Sequence, residues 1–301
     1  MTASSQELHF ADAGEAADLA AFLARLIHYD RAAAVRLQAG GGVLAVFGRP
    51  PSFEVLAIRT ARLDAIVGTE ATSGTSSASG TSSASGTSTV SGTSDTSGTS
   101  AGAAGGSGAL DTTVSAGEFA DALDTARAGR TADGPSQSHD RGLVVTVPQA
   151  VTGPPWAGVL PPRGGWRRVS GLPGVDEVRG AVAAAVAEFR ARDTALPEER
   201  RTRAERDRIG REIWTRTLGD TGLPLRAVHA AQSLGFLRPV RAAAPAATAQ
   251  GAGGGVATAA PDAMAEPLAL LAAGGWLRLR TPYGSIAVRT SGLSGLPVTP
   301  A

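Results

Sequence analysis

The tract from 68 to 109 sets the first limit on what this chain can fold into. Gly74, Gly80, Gly86, Gly92 and Gly98 fall six apart, inside a recurring Ser-Gly-Thr-Ser-x-x unit. A β-solenoid on that period needs an inward-facing apolar residue in every turn, and only alanines and Val90 are present. Such a segment cannot bury enough apolar surface to offset the entropy of ordering it, so it reads as disordered. Residues 239–262 are Ala, Gly, Pro and Thr without a period and read the same way, as does the tail 291–301. Roughly two hundred residues remain, enough for one core. Leu63-Asp-Ala-Ile-Val67 before the tract echoes Leu110-Asp-Thr-Thr-Val114 after it. The expectation is therefore a single domain spanning 1–301, with insertions at 68–109 and 239–262 and a flexible tail, rather than two domains joined by a linker.

The foldable segments carry clear local signals. Asp12-Ala-Gly-Glu15 has capping-box spacing, and Leu19, Phe22, Leu23, Leu26 and Ile27 recur at helical spacing, which predicts a helix over 13–28. Ala33–Leu37 and Val43–Phe47 flank Gly40-Gly-Gly42, a hairpin signal, and Phe53–Arg59 adds a third strand to an antiparallel meander. Ser115-Ala-Gly-Glu118 is a second capping box, opening a helix with Phe119 and Leu123 inward, followed by a polar, turn-rich stretch at 128–140. Leu143–Val147 reads as a buried strand. A helix follows with Val175, Val178, Val182, Val186 and Phe189 on one face, then one opened by Pro197 and running to about 218, then one opened by Pro224. Residues 265–272 suggest a short helix. Trp276–Thr281 and Ser285–Arg289 form a hairpin around Pro282-Tyr-Gly284 and are expected to join the front sheet. The fold class is thus α+β: a mostly antiparallel sheet, from the N-terminal meander plus the C-terminal hairpin, packed against helices.

Composition excludes several chemistries. All 28 basic residues are arginine, and Lys, Asn and Cys are absent, a bias that points to GC-rich coding. Without Lys there is no P-loop lysine and no Schiff base. Without Cys there is no disulfide, thiol nucleophile or zinc–thiolate site. The four histidines, His9, His28, His139 and His229, stand too far apart in sequence for metal-ligand spacing, and no GxGxxG follows a strand, so no cofactor is implied. Met1–Ala13 has no basic n-region or apolar run, and no stretch reaches the ~18 apolar residues of a membrane span, so a cytoplasmic protein without membrane partners is expected. The net charge of +1 gives no push toward nucleic acid.

One stretch stands out, Trp156–Val169, with two of the four tryptophans, a Pro-Pro and a Gly-Gly pair. Within it Arg163, Gly164, Gly165, Trp166, Arg167 and Arg168 are the candidate ligand-binding residues. Successive glycine N–H groups can form an anion-binding nest, and arginine forks suit carboxylate or phosphate. The competing account is a structural loop whose arginines stack on Trp156 or Trp166 or pair with Asp176 and Glu177. The arginines at 200, 201, 203, 206, 208 and 211 interleave with Glu198, Glu199, Glu205, Asp207 and Glu212, which reads as a self-paired solvated face rather than a nucleic-acid helix. Ala230–Phe236 has the form of the first half of a helix-turn-helix, with no second helix signal after it. Gly98-Thr-Ser-Ala-Gly102 matches a GxSxG string but follows no strand.

Leu160-Pro-Pro-Arg-Gly-Gly-Trp-Arg-Arg168, together with Trp276-Leu-Arg-Leu-Arg-Thr-Pro-Tyr-Gly-Ser-Ile-Ala-Val-Arg289, resembles uncharacterised hypothetical proteins of GC-rich actinobacteria. That resemblance implies a source and a cytoplasmic setting, and no activity. The functional expectation is a non-catalytic binding or regulatory protein that holds a small anionic ligand or a protein partner near Arg163–Arg168. The alternative is an enzyme using the dispersed groups His28, Asp30, Glu54, His229 and Tyr283, which requires two or more of them in one pocket.

Overall fold

Alternation of apolar and polar residues builds the front of the molecule. The computed structural model describes residues 5–69, 109–132, 142–239 and 268–290. In β2 (Ala34–Gly40) Val35, Leu37 and Ala39 are buried while Arg36 and Gln38 face the other way, as the two-residue strand period dictates. Gly41 and Gly42 turn the chain with φ of 61° and 75°, both positive as a two-residue hairpin turn requires. β3 (Val43–Gly48) returns in register, Val35 opposite Gly48 and Gly40 opposite Val43. β4 (Leu56–Thr69) is the spine. Its first part pairs with β3 and with β10 (Gly284–Arg289), and its second part pairs with β1 (Ser5–Phe10).

With β5 (Leu110–Ser115), β7 (Arg167–Val169), β8 (Ala269–Ala273) and β9 (Trp276–Thr281), the sheet runs β5-β2-β3-β4-β10-β9-β8-β7. β1 branches off β4 and carries β6 (Leu143–Thr146) on its free edge. Every pairing is antiparallel, so the predicted α+β class holds and the C-terminal hairpin does join the front sheet.

Helices cover one face. α1 (Ala13–Tyr29) buries Leu19, Phe22, Leu23 and Leu26, and α2 (Ala116–Ala132) buries Phe119 and Leu123. α3 (Val175–Thr194) contributes Val178 and Val182, and α5 (Leu225–Ser233) contributes Ala227, Val228, Ala230 and Ala231 to the same core. Phe22 stacks on Phe236 at 5.7 Å between centroids, closing the core over the end of α5. α4 (Arg203–Trp214) packs Ile209 and Ile213 on Ala185 in a satellite cluster. The opposite face of the sheet has its own small cluster, Phe47, Leu56, Ile58 and Ala287, covered by Trp156, Leu160 and Trp276.

Several expectations are corrected. Where the segment expected to be a helix at 265–272 is described, it is extended: Ala269–Ala273 is strand β8, because pairing with β9 and β7 overrides the helix preference of Ala and Leu. Pro197 opens only a single 3-10 turn, Glu198–Arg200. α4 starts instead after Thr202, whose hydroxyl accepts from the Glu205 N–H, and ends at Trp214 rather than near 218. β4 begins at Leu56 rather than Phe53, because the chain is still turning through Glu54. α2 runs on to Ala132, through the start of the stretch read as polar turn. β6 buries one face only, with Val144 exposed. Asp12 caps α1 by accepting from the Gly14 N–H, but Glu15 does not reach back to it; its carboxylate accepts from the backbone and side chain of Arg62 on β4. β1 was not anticipated. The low-complexity tract, the 239–262 segment and the tail lie, apart from Gly68, Thr69, Ala109 and Pro239, outside the described residues, as does His139.

Candidate functional site

Four strand ends meet at one side of the sheet's outer face: the end of β3, the start of β4, the end of β10 and the start of β9. The Pro155–Gly158 3-10 turn and the first turn of α5 close over them. The result is a cavity of about 560 Å³. Its walls are Val55, Leu56, Pro155, Trp156, Val159, Trp276, Ala287 and Val288, and its polar groups are Arg49, Arg226, Arg289 and Glu54. A concave apolar site with a few convergent polar groups is the usual form of a small-ligand pocket.

Each charged group is placed by local structure. Arg49 directly follows β3, and Arg289 is the last residue of β10, with its guanidinium 5.6 Å from the Trp276 ring centroid. Among the described residues neither meets a carboxylate. Arg226 is the second residue of α5, a helix whose Pro224 N-cap supplies no side-chain hydrogen bond. Its Nε has no exposed surface and no hydrogen-bond partner, and the Glu54 carboxylate stands 4.0 Å away, beyond hydrogen-bond reach. Glu54 itself has φ of 51°, a left-handed conformation that costs a residue with a Cβ roughly 1 kcal/mol or more. It is the one positive-φ non-glycine among the described residues. Three guanidiniums against one carboxylate leave the cavity cationic.

The Arg163–Arg168 stretch lies elsewhere on the same face. Pro162 sits against the β8–β9 turn at Gly274, and Trp166 donates its Nε1–H to the Pro162 carbonyl at 3.0 Å. The Trp166 ring faces the Arg278 guanidinium at 5.7 Å. Gly165 has φ of 76°, and both Gly164 and Gly165 face open space. Arg167 and Arg168 are exposed successive residues of β7, and successive strand residues point to opposite faces. Arg163 is in the field of Asp111 on β5, and Asp176 pairs with Arg179 one helical turn on. The start of the wider stretch is what reaches the cavity, through Trp156 and Val159.

Asp111 explains how that stretch is held. It accepts from Arg36 Nε at 2.7 Å, Arg36 Nη2 at 2.9 Å and Gln38 Nε2 at 3.0 Å, and Arg36 also donates to the Ala157 carbonyl. The Arg36 hydrogen bond holds the Asp111 carboxyl below its ordinary value. β2 and β5 thereby anchor the turn that carries Trp156.

The dispersed catalytic candidates do not converge. Only Glu54 lines the cavity. His28 touches Tyr29, which packs edge-on against Phe53. His229 stacks on Trp214 at 4.4 Å and meets Phe53 edge-on at 5.1 Å, and burial pushes its pKa down. Tyr283 lies under Arg238, 3.7 Å from ring centroid to guanidinium, and donates its OH to the Pro239 carbonyl at 3.0 Å. Among the described residues no group of three His, Cys, Asp or Glu is arranged to hold a metal ion, and no helix is long and apolar enough to cross a membrane. Of the six arginines at 200–211, Arg200, Arg201, Arg203, Arg206 and Arg208 each have a carboxylate partner, at 2.7 to 3.8 Å.

Fold and cavity together define an antiparallel α+β protein with an arginine-rimmed, tryptophan-walled pocket at the strand ends, closed in part by the first turn of α5. The chain belongs to the family described as domain of unknown function (DUF8010), which matches residues 3–158. A second family, domain of unknown function (DUF8185), matches residues 161–293. The cavity takes residues from both matched regions. No curated protein and no solved structure matches the chain.

Proposed function

We propose that the protein is a non-catalytic binding or regulatory protein and that it holds a small anionic ligand in the cavity between Trp156, Trp276 and Arg226. The observation that carries this reading is the convergence of Arg49, Arg226 and Arg289 on one apolar cavity with a single opposing carboxylate, Glu54. An arginine facing an apolar, partly dry site gains most from a ligand anion, since desolvated charge pairs are stronger than exposed ones. The Arg163–Arg168 loop is the second candidate for the same ligand or for a protein partner. The scatter of His28, Asp30, His229 and Tyr283 supports binding over catalysis.

The wider reading is of one structural unit, supported by β10, within the second matched region, hydrogen-bonding to β4, within the first. A cytoplasmic protein of a GC-rich actinobacterium suits the lysine-free composition, and the paired helix face of α4 favours no nucleic-acid partner.

The test is a thermal-shift screen of small anions on wild type, an Arg49→Gln/Arg289→Gln variant and an Arg163→Ala/Arg167→Ala/Arg168→Ala variant. At a hundredfold excess over Kd a ligand adds about 2.7 kcal/mol, roughly 5–10 °C at this size. The cavity reading expects that shift in wild type and in the loop variant, and its loss in the cavity variant. The opposite pattern moves the site to the loop.

A further inference from the structure

We propose that the cavity's ligand is an aromatic monocarboxylate, its ring against Trp156 and Trp276 and its carboxylate on Arg226. This rests on the reading of the cavity as an anion site and names the ligand's class. The carboxylate follows from Arg226. Its side chain lines the cavity with 24% of its surface exposed, so the guanidinium end is within a ligand's reach. Its two Nη groups present parallel N–H bonds, a geometry that a carboxylate accepts end-on.

The single charge follows from the place of Glu54 beside Arg226 rather than from the rim's net positive balance. Glu54 stands 4.0 Å from Arg226 and cancels one of the three guanidinium charges. It also repels a second negative charge on the ligand, which disfavours phosphate and di- or tricarboxylates. The Arg289 guanidinium is partly engaged with the Trp276 ring. Arg49 is left as the exposed charge that steers a monoanion inward.

The aromatic body follows from the walls. Trp156 and Trp276 are both half-buried and both rest on the same apolar cluster, so their rings are held in place before any ligand arrives. Fixed indoles reward a flat π-surface through offset or edge contacts more than they reward a flexible alkyl chain. The volume of about 560 Å³ accepts a bicyclic acid.

The test is isothermal titration calorimetry of the full chain with 1-naphthoate, octanoate and inorganic phosphate. One naphthoate site per chain is expected, with octanoate weaker and phosphate silent. Arg226→Met keeps the aliphatic stem and should weaken naphthoate roughly 10–100-fold. Trp156→Leu should weaken naphthoate about 3–10-fold and octanoate by less. Far-ultraviolet circular dichroism confirms that each variant folds, and the exposed Arg49→Gln gives a second, milder loss. Phosphate binding without naphthoate binding overturns the ligand class while leaving the anion site standing. Octanoate equal to naphthoate overturns the aromatic preference alone. No heat with any probe overturns both readings.

Discussion

Substituting Asp18 by Ala should destabilise the fold well beyond an ordinary surface change. Asp18, on α1, accepts from Arg59 Nη2 at 2.9 Å and from Arg238 Nη2 at 2.9 and 3.0 Å. Arg59 lies on β4 with only 10% of its side chain exposed, and also donates to the Tyr283 carbonyl at the tip of the C-terminal hairpin. Burial pushes the Arg59 pKa below its ordinary value, Asp18 opposes that shift, and Arg238 adds to it. Removing Asp18 leaves two guanidiniums together without their hydrogen-bonded carboxylate, with Glu15 acting on Arg59 only through its field. Breaking a buried pair costs about 3–5 kcal/mol. Asp18 is 36% exposed, so water recovers part of this, and about 2–3 kcal/mol is expected. That corresponds to a fall in Tm of roughly 5–10 °C at this size. Calorimetry on Asp18→Ala, Arg59→Met and the double variant forms a cycle, and the double variant should lose clearly less than the sum of the singles. A loss below ~0.5 kcal/mol for Asp18→Ala, with additive singles, would refute the reasoning.

Three further outcomes are expected. Gly284→Ala puts a Cβ 2.6 Å from the Phe236 ring and 2.9 Å from the Ile58 carbonyl oxygen, at a φ of 151°, and should cost about 1–3 kcal/mol by denaturant unfolding; an unchanged midpoint would contradict the packing. His229 is half-buried, and desolvation holds its folded pKa below the ordinary 6.5, so the unfolded chain binds the proton more readily. Its contribution is complete above pH 6.5 and declines as pH falls through the folded value. His229→Phe should therefore flatten the fall in Tm between pH 7 and 5, and parallel profiles would show that the imidazole does not report this. Replacing residues 70–108 with a Gly/Ser linker of about a dozen residues should move Tm by less than ~5 °C, and a larger drop would mean that the tract contributes to the fold.

Local signals in the sequence carried far. The 3.6-residue period of Leu19, Phe22, Leu23 and Leu26 and the Gly41–Gly42 turn located α1 and the β2–β3 hairpin, because each depends on neighbours in the chain. β8 was lost because Ala and Leu favour helix and only the pairing partners β7 and β9 make that segment a strand. A signal for β1 was present in the alternation Glu7-Leu8-His9-Phe10, with Leu8 and Phe10 fully buried, and so was Thr202-x-x-Glu205 for the start of α4. The cavity was not legible. Arg49, Arg226, Trp276 and Arg289 come from separate stretches, so no local motif announces them, whereas Arg163, Arg167 and Arg168 cluster in sequence and diverge in space. Trp156 is the link, since the stretch singled out by its composition does supply one wall.

The most direct measurement uses the four tryptophans, at 156, 166, 214 and 276, as reporters. Their indole N–H signals in a nitrogen-15 correlation spectrum can be assigned by single Trp→Phe variants and followed during titration with 1-naphthoate. Trp156 and Trp276 line the cavity, Trp166 sits on the Arg163–Arg168 stretch, and Trp214 stacks on His229. Ligand in the cavity predicts saturable shifts of the Trp156 and Trp276 signals with Trp166 and Trp214 still. Movement of Trp166 alone, or of none of the four, would contradict it.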